Sequence, residues 1–141
     1  MAIYWRPIVN AEELCSRLAI QDLTNRYALY VDTKQLDRLI DLFWSDAIFD
    51  ESALGAGPFR GQAAIREYFQ AALPSVSELM HVTSNLVIDF DAGSEAKGVS
   101  TLFFEGRDPT GTMQRLKGYF HDTYRLDSGQ WRFQSRTLRL L

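Results

Sequence analysis

Apolar positions recur at a helical period in the first half of the chain and at a strand period in the second. Over residues 10–31 the apolar side chains Leu14, Leu18, Leu23, Tyr27, Leu29 and Tyr30 predict a helix. Asn10 is its expected N-cap, and Glu13, three residues on, completes a capping-box pattern. At about 100° per residue, Leu23, Tyr27 and Tyr30 cluster on one side, while Leu14, Leu18 and Leu29 lie broadly opposite. That distribution predicts an inner helix, covered from two directions. Leu36, Leu39, Ile40 and Phe43 predict a second short helix over 35–43, and Ile48, Phe49 and Asp50 a brief strand. The glycines and proline of Ser52 to Pro58 predict a loop able to act as a lid, and Gly61 to Phe69 returns to helical spacing before Pro74.

From about residue 80 the character changes. Four runs, about 80–91, 96–107, 112–126 and 130–140, are separated by Asp91-Ala92-Gly93-Ser94, Asp108-Pro109-Thr110-Gly111 and Asp127-Ser128-Gly129. These separators are turn chemistry, and short turns between strands favour antiparallel pairing. Helices first and a strand meander afterwards predict the α+β class, as one domain over residues 1–141.

Composition narrows the functional classes. The 141 residues carry a net charge of −3, so no basic stripe exists to capture nucleic acid, and an anionic membrane surface is disfavoured. Aromatic residues make up 13% of the chain, which suits a lined cavity or a tight interface. A single Cys15 forms no internal disulfide, and no CxxC or His-rich spacing offers a metal site. No apolar run approaches the roughly 20 residues needed to span a bilayer, and Met1 to Pro7 lacks the apolar core of a signal peptide. A cytoplasmic protein is the expectation. No phosphate-cradling glycine loop is present, and no metal, nucleotide or flavin cofactor is expected.

The candidate chemistry lies at two element boundaries. Asp32 ends the first helical pattern and His81 opens the first long strand. A carboxylate that orients an imidazole is the minimal apparatus for moving a proton near neutral pH, because the two ring nitrogens divide the work. Each residue also has a plainer reading, as a helix-end aspartate bonding local backbone and as a structural histidine.

The layout resembles the SnoaL-like branch of the NTF2-like superfamily. The stretches that carry the resemblance are Ser16 to Leu23, Asp37 to Phe43 with Asp46-Ala47, Gly61 to Ile65, His81 with Asn85, and Trp131-Arg132-Phe133. The resemblance implies a cone-shaped α+β barrel, with a curved antiparallel sheet wrapped around helices and an apolar pocket at one end. Members include scytalone dehydratase, bile-acid 7α-dehydratase, lindane dehydrochlorinase, polyketide cyclases and ketosteroid isomerase, besides binding and assembly modules, so fold alone does not settle function. It further implies that Asp32 and His81 form a catalytic dyad with His81 as base, and that Tyr27 and Arg136 support it. A second catalytic histidine, expected near 98–106, has no counterpart.

The reaction so implied is a cofactor-independent, dehydratase-like elimination from a small cyclic or polycyclic apolar substrate. Alternatives are an isomerase or cyclase using the same dyad, a non-catalytic binding or assembly module, and the small subunit of a ring-hydroxylating dioxygenase. Tyr30, Phe49, Phe69, Asn85, Phe104 and Phe120 are the candidate substrate-binding residues, with core packing as the plainer reading of the aromatics. Asn85 is expected on the same strand face as His81, and Arg136 on the face of Arg132 and Gln134, where a polar strand face or subunit salt bridge is the alternative. His121 alternates with Phe120 and is expected to face outward. A homo-oligomer, a trimer before a dimer, is expected from members of this kind, with Leu102 or Phe103 as exposed apolar contacts.

Overall fold

The computed structural model describes residues 10–141, so the opening stretch Met1 to Pro7 lies outside the described residues. Helix α1 spans Ala11–Asp32, α2 Leu36–Ile40 and α3 Gln62–Ala72. The strands are β1 Phe43–Glu51, β2 Ala56–Arg60, β3 Ser77–Ala92, β4 Glu95–Arg107, β5 Met113–Asp127 and β6 Gln130–Leu140. They form one six-stranded sheet in the order β2-β1-β6-β5-β4-β3, open at both edges. All neighbours pair antiparallel except β1 with β6, which run parallel. The α+β class and the four-strand meander are as expected from the pattern.

Asn10 caps α1 through its Oδ1, which accepts the Glu13 backbone N–H at 2.8 Å. The reciprocal half of the capping box is absent, because the Glu13 carboxylate accepts from Arg17 instead. The other face of α1 departs from expectation: Leu23, Tyr27 and Tyr30 are buried against the sheet, but Leu14, Leu18 and Leu29 are exposed. Among the described residues no other element lies over that side. No helix among the described residues is long and apolar enough to cross a membrane.

α2 is shorter than its apolar spacing predicts, and Phe43 belongs to β1. Its backbone joins the parallel ladder opposite Phe133, where the two rings pack at 5.2 Å between centroids. Phe43, Phe49, Phe133 and Tyr27 form an aromatic centre, each no more than 1% exposed. Burying each such ring contributes about 2 kcal/mol or more. The Ser52 to Pro58 segment is a short 3-10 turn followed by β2, paired antiparallel with β1, so it is part of the sheet edge rather than a free loop.

Two bulges decide which side chains face inward. In β3 the register moves between Ser84 and Val87, with Asn85 in the left-handed region at φ 54°. The inward set is therefore His81 and Thr83, then Leu86, Ile88 and Phe90, and Asn85 is exposed. In β6, Phe133 pairs with Tyr124 and Ser135 with Thr123, leaving Gln134 as the extra residue. That bulge puts Arg136 and Leu138 on the inner face with Trp131 and Phe133.

Candidate active site

α1 stops where its last turn meets the sheet edge. Thr33 closes the helix, its backbone N–H and hydroxyl both donating to the Leu29 carbonyl, and Lys34 turns the chain at φ 56°. Asp32 is thus the last helical residue, facing β3. Because no strand among the described residues lies on the outer side of β3, its outward backbone groups need other partners, and α1 supplies two of them. Arg17 Nη1 donates to the Ile88 carbonyl, and the His81 backbone N–H donates to Asp32 Oδ2 at 2.9 Å.

The second Asp32 oxygen holds the ring. Oδ1 lies 2.6 Å from His81 Nδ1, so Nδ1 carries the hydrogen, and in the neutral ring Nε2 is left with its lone pair. One carboxylate therefore fixes both the backbone and the tautomer of His81. The imidazole also lies edge-on to Phe104 at 4.9 Å and to Tyr27 at 6.4 Å between centroids. The 140° between Tyr27 and Asp32 on an ideal helix is no obstacle, because α1 runs along the cavity and Asp32 reaches sideways from its end to the strand.

His81 lines a cavity of about 200 Å³ between α1, α3, the β1 end and the inner face of the sheet. Leu102, Phe104, Leu116, Phe120 and Leu138 line it from the sheet, Val31 from α1 and Phe69 from α3, with Leu73, Val76 and Leu79 completing the lining. The polar side chains among the lining residues are Tyr27, Glu51, Tyr68 and His81. Burial keeps the Tyr27 hydroxyl neutral well above the ordinary tyrosine value, against the downward pull of the Arg136 charge.

Asp122 and Arg136 lie on the same inner face of the sheet, buried outside the cavity lining. Arg136 is fully buried and donates through Nε and Nη2 to the two oxygens of Asp122, both at 2.9 Å, while Tyr124 donates to the same carboxylate. Burial opposes the arginine charge, but Asp122 outweighs it and holds the guanidinium protonated. Its Cζ sits 4.2 Å from the Tyr27 ring centre and 4.0 Å from that of Phe120. Arg136 thus touches the site through Tyr27 and Phe120 and is not itself a lining residue.

The family model of the SnoaL-like domain matches residues 12–137. The chain belongs to the SnoaL-like family. Its similarity to gamma-hexachlorocyclohexane dehydrochlorinase from Sphingobium indicum is 29% identity over 127 residues, 89% of this chain and 80% of that protein. A solved structure from Novosphingobium aromaticivorans that bears the provisional name aromatic ring hydroxylase is 32% identical, with a TM-score of 0.84 over 89% of this chain and 88% of the other. The crystal structure of LinA is 27% identical, with a TM-score of 0.85 over 92% of this chain and 88% of the other.

Within this SnoaL-like domain the expected site residues divide. Asp32, His81, Tyr27, Phe69, Phe104 and Phe120 converge on the cavity or its dyad. Phe49 is wholly buried beneath it, against Tyr27 and Phe69. Tyr30 is buried elsewhere on α1, its hydroxyl accepting from Arg26. Asn85 is turned out by the β3 bulge and cannot reach a ligand beside His81. Leu102 faces the cavity, whereas Phe103, Tyr119 and His121 lie on the exposed outer face.

Glu51 and Tyr68 were not expected in the site. Glu51 continues the inward alternation Ala47, Phe49, Glu51 at the end of β1, and Tyr68 reaches across from α3 to donate to its Oε2 at 2.5 Å. The alternation was legible once β1 was extended past Asp50. Among the described residues no group of three His, Cys, Asp or Glu side chains gathers as a metal ligand set. What the cavity offers is proton transfer: an oriented imidazole, a phenol and a carboxyl group facing an apolar space.

Proposed function

We propose that the chain is a cofactor-independent lyase that eliminates water from a small cyclic, largely apolar molecule by acid and base catalysis. The observation that carries the reading is the 2.6 Å contact between Asp32 Oδ1 and His81 Nδ1 at the edge of an apolar cavity. His81 Nε2 takes a proton from the carbon next to a carbonyl, and Asp32 stabilises the imidazolium that forms. Tyr27, with the Arg136 charge 4.2 Å behind its ring, donates to the oxygen where negative charge develops.

Relatives support the class of reaction: a dehydrochlorinase at 29% identity performs, by its name, an elimination from a six-membered ring. Size supports a small substrate. A cavity of about 150 Å³ holds benzene, so about 200 Å³ suits one ring, or one ring with short substituents, better than a steroid nucleus. The test is to screen single-ring β-hydroxy carbonyl compounds for loss of water, with the His81→Ala variant alongside. Turnover abolished in that variant, with the fold retained, supports the reading; undiminished turnover overturns it.

A further inference from the structure

An elimination needs a partner for the base, and the leaving group sets what that partner must be. Chloride departs as a stable anion. Hydroxide is a poor leaving group, since the pKa of water is about 15.7, so loss of a hydroxyl needs a proton delivered as the C–O bond breaks. Three lining side chains besides His81 have a group able to carry a proton: Tyr27, Tyr68 and Glu51. Burial raises both phenols above an already weak acidity, which makes them hydrogen-bond donors rather than proton donors.

Glu51 is placed differently. It lies at the inner end of β1 and lines the same cavity as His81. The Tyr68 hydroxyl donates to Oε2 at 2.5 Å, which occupies that oxygen as an acceptor and leaves Oε1 to carry a proton. The Tyr68 ring is itself fixed by stacking on Phe59 at 4.4 Å between centroids. No lysine or arginine pairs with the Glu51 carboxyl among the described residues. Burial favours its neutral acid form.

We propose that Glu51 is the acid of the reaction, protonating an oxygen leaving group while His81 removes the carbon-bound proton, with Tyr68 as its positioning residue. The inference rests on the lyase reading above and selects β-hydroxy carbonyl compounds over halides as substrates. His81 Nε2 accepts the proton, the C–H electron pair becomes the new C=C bond, and the C–O pair departs with the oxygen. Glu51 Oε1 gives its proton to that oxygen, and water leaves. Imidazolium and carboxylate then face each other, and return of the proton from Nε2 to Oε1 through water in the emptied cavity resets both groups.

The probes are 3-hydroxycyclohexanone and 3-chlorocyclohexanone, which yield the same cyclohexenone by loss of water and of hydrogen chloride. The Glu51→Gln variant is expected to lose at least about 100-fold in rate above background on the hydroxy compound and less than about 3-fold on the chloro compound, while His81→Ala loses both. Equal retention of both rates in Glu51→Gln overturns the Glu51 assignment and leaves the His81 reading standing; no enone above background from either probe in the wild type overturns both.

Two readouts are independent of turnover rate. The infrared C=O stretch of a protonated carboxyl, present at neutral pH and lost in Glu51→Gln, is expected; its absence from the wild type overturns the assignment. In Tyr68→Phe the bond that stabilises the carboxylate is gone, so the high-pH limb of activity is expected to move to higher pH. An unmoved or lowered limb overturns the role of Tyr68.

Discussion

The Asp32 carboxylate meets His81 twice, with Oδ1 2.6 Å from the ring Nδ1 and Oδ2 accepting the backbone N–H at 2.9 Å. Ring and backbone are therefore held by one group, and the free nitrogen is aimed by a rigid helix end rather than by a loop. An asparagine keeps the size but has only one accepting oxygen, so it must fail one of the two bonds or present its amide hydrogens to a donor. Asp32→Asn is expected to lower kcat by about 10³- to 10⁴-fold, by analogy with the loss of the orienting aspartate in a serine-protease triad. Circular dichroism should show the fold retained, and a kcat within about 10-fold of wild type would contradict the dyad.

Glu51 links the site to stability through pH. Burial raises its pKa above the usual 4.5, against the opposing pull of the Tyr68 bond and the His81 and Arg136 charges. Its folded pKa therefore exceeds its unfolded one, and between the two the folded state holds the extra proton. Stability from this group is whole below the unfolded value and is lost as pH rises through the folded value. Glu51→Gln has nothing to ionise. Its melting temperature is expected to match wild type near about pH 4 and to exceed it increasingly as pH rises through the folded pKa. A gap that does not change with pH would refute the raised pKa.

The meander was legible because its turns carry their own chemistry. Asp108, for example, accepts the Thr110 and Thr112 backbone N–H groups across the turn that joins β4 to β5. Asp32 at a helix end and His81 early in a strand were legible as local features, but their pairing across 49 residues came only from the family resemblance. What alternation misplaced were Asn85 and Arg136, and for one reason: each follows or forms a bulge that adds a residue and reverses inside and outside beyond it. The parallel pairing of β1 with β6 joins segments some 90 residues apart, and nothing local encodes it. Nor did helical periodicity reveal that Leu14, Leu18 and Leu29 stay exposed, since it orders the faces of a helix without showing what lies over them.

The β3 bulge itself can be tested at Asn85. Its φ of 54° is tolerated by asparagine and glycine but strained in a β-branched residue. Asn85→Gly is expected to change stability by no more than about 0.5 kcal/mol, and Asn85→Val to cost about 1–2 kcal/mol, in urea titrations. Because Asn85 is exposed and its side chain is off the cavity, Asn85→Gly is also expected to leave kcat/KM unchanged. Equal costs for glycine and valine would mean the backbone there is not left-handed.

The Arg136 pair separates structural from chemical roles most sharply. Both side chains are fully buried, and the guanidinium makes a two-point fork with Asp122 while its Nη1 has no hydrogen-bond partner among the described residues. Removing the arginine alone strands a carboxylate in the core with, among the described residues, only the Tyr124 side chain donating to it. Arg136→Met is therefore expected to cost about 3–5 kcal/mol in urea unfolding. The double variant Arg136→Met with Asp122→Asn removes both charges while the asparagine oxygen still accepts from Tyr124, so most of that loss is expected to return. Activity should behave otherwise. The rescued double variant regains its fold but not the positive charge 4.2 Å behind the Tyr27 ring, so its kcat should stay depressed by about 10-fold or more. Full recovery of kcat along with stability would make Arg136 a structural residue only; recovery of neither would mean that the aromatic cage around the guanidinium, rather than Asp122, sets its place.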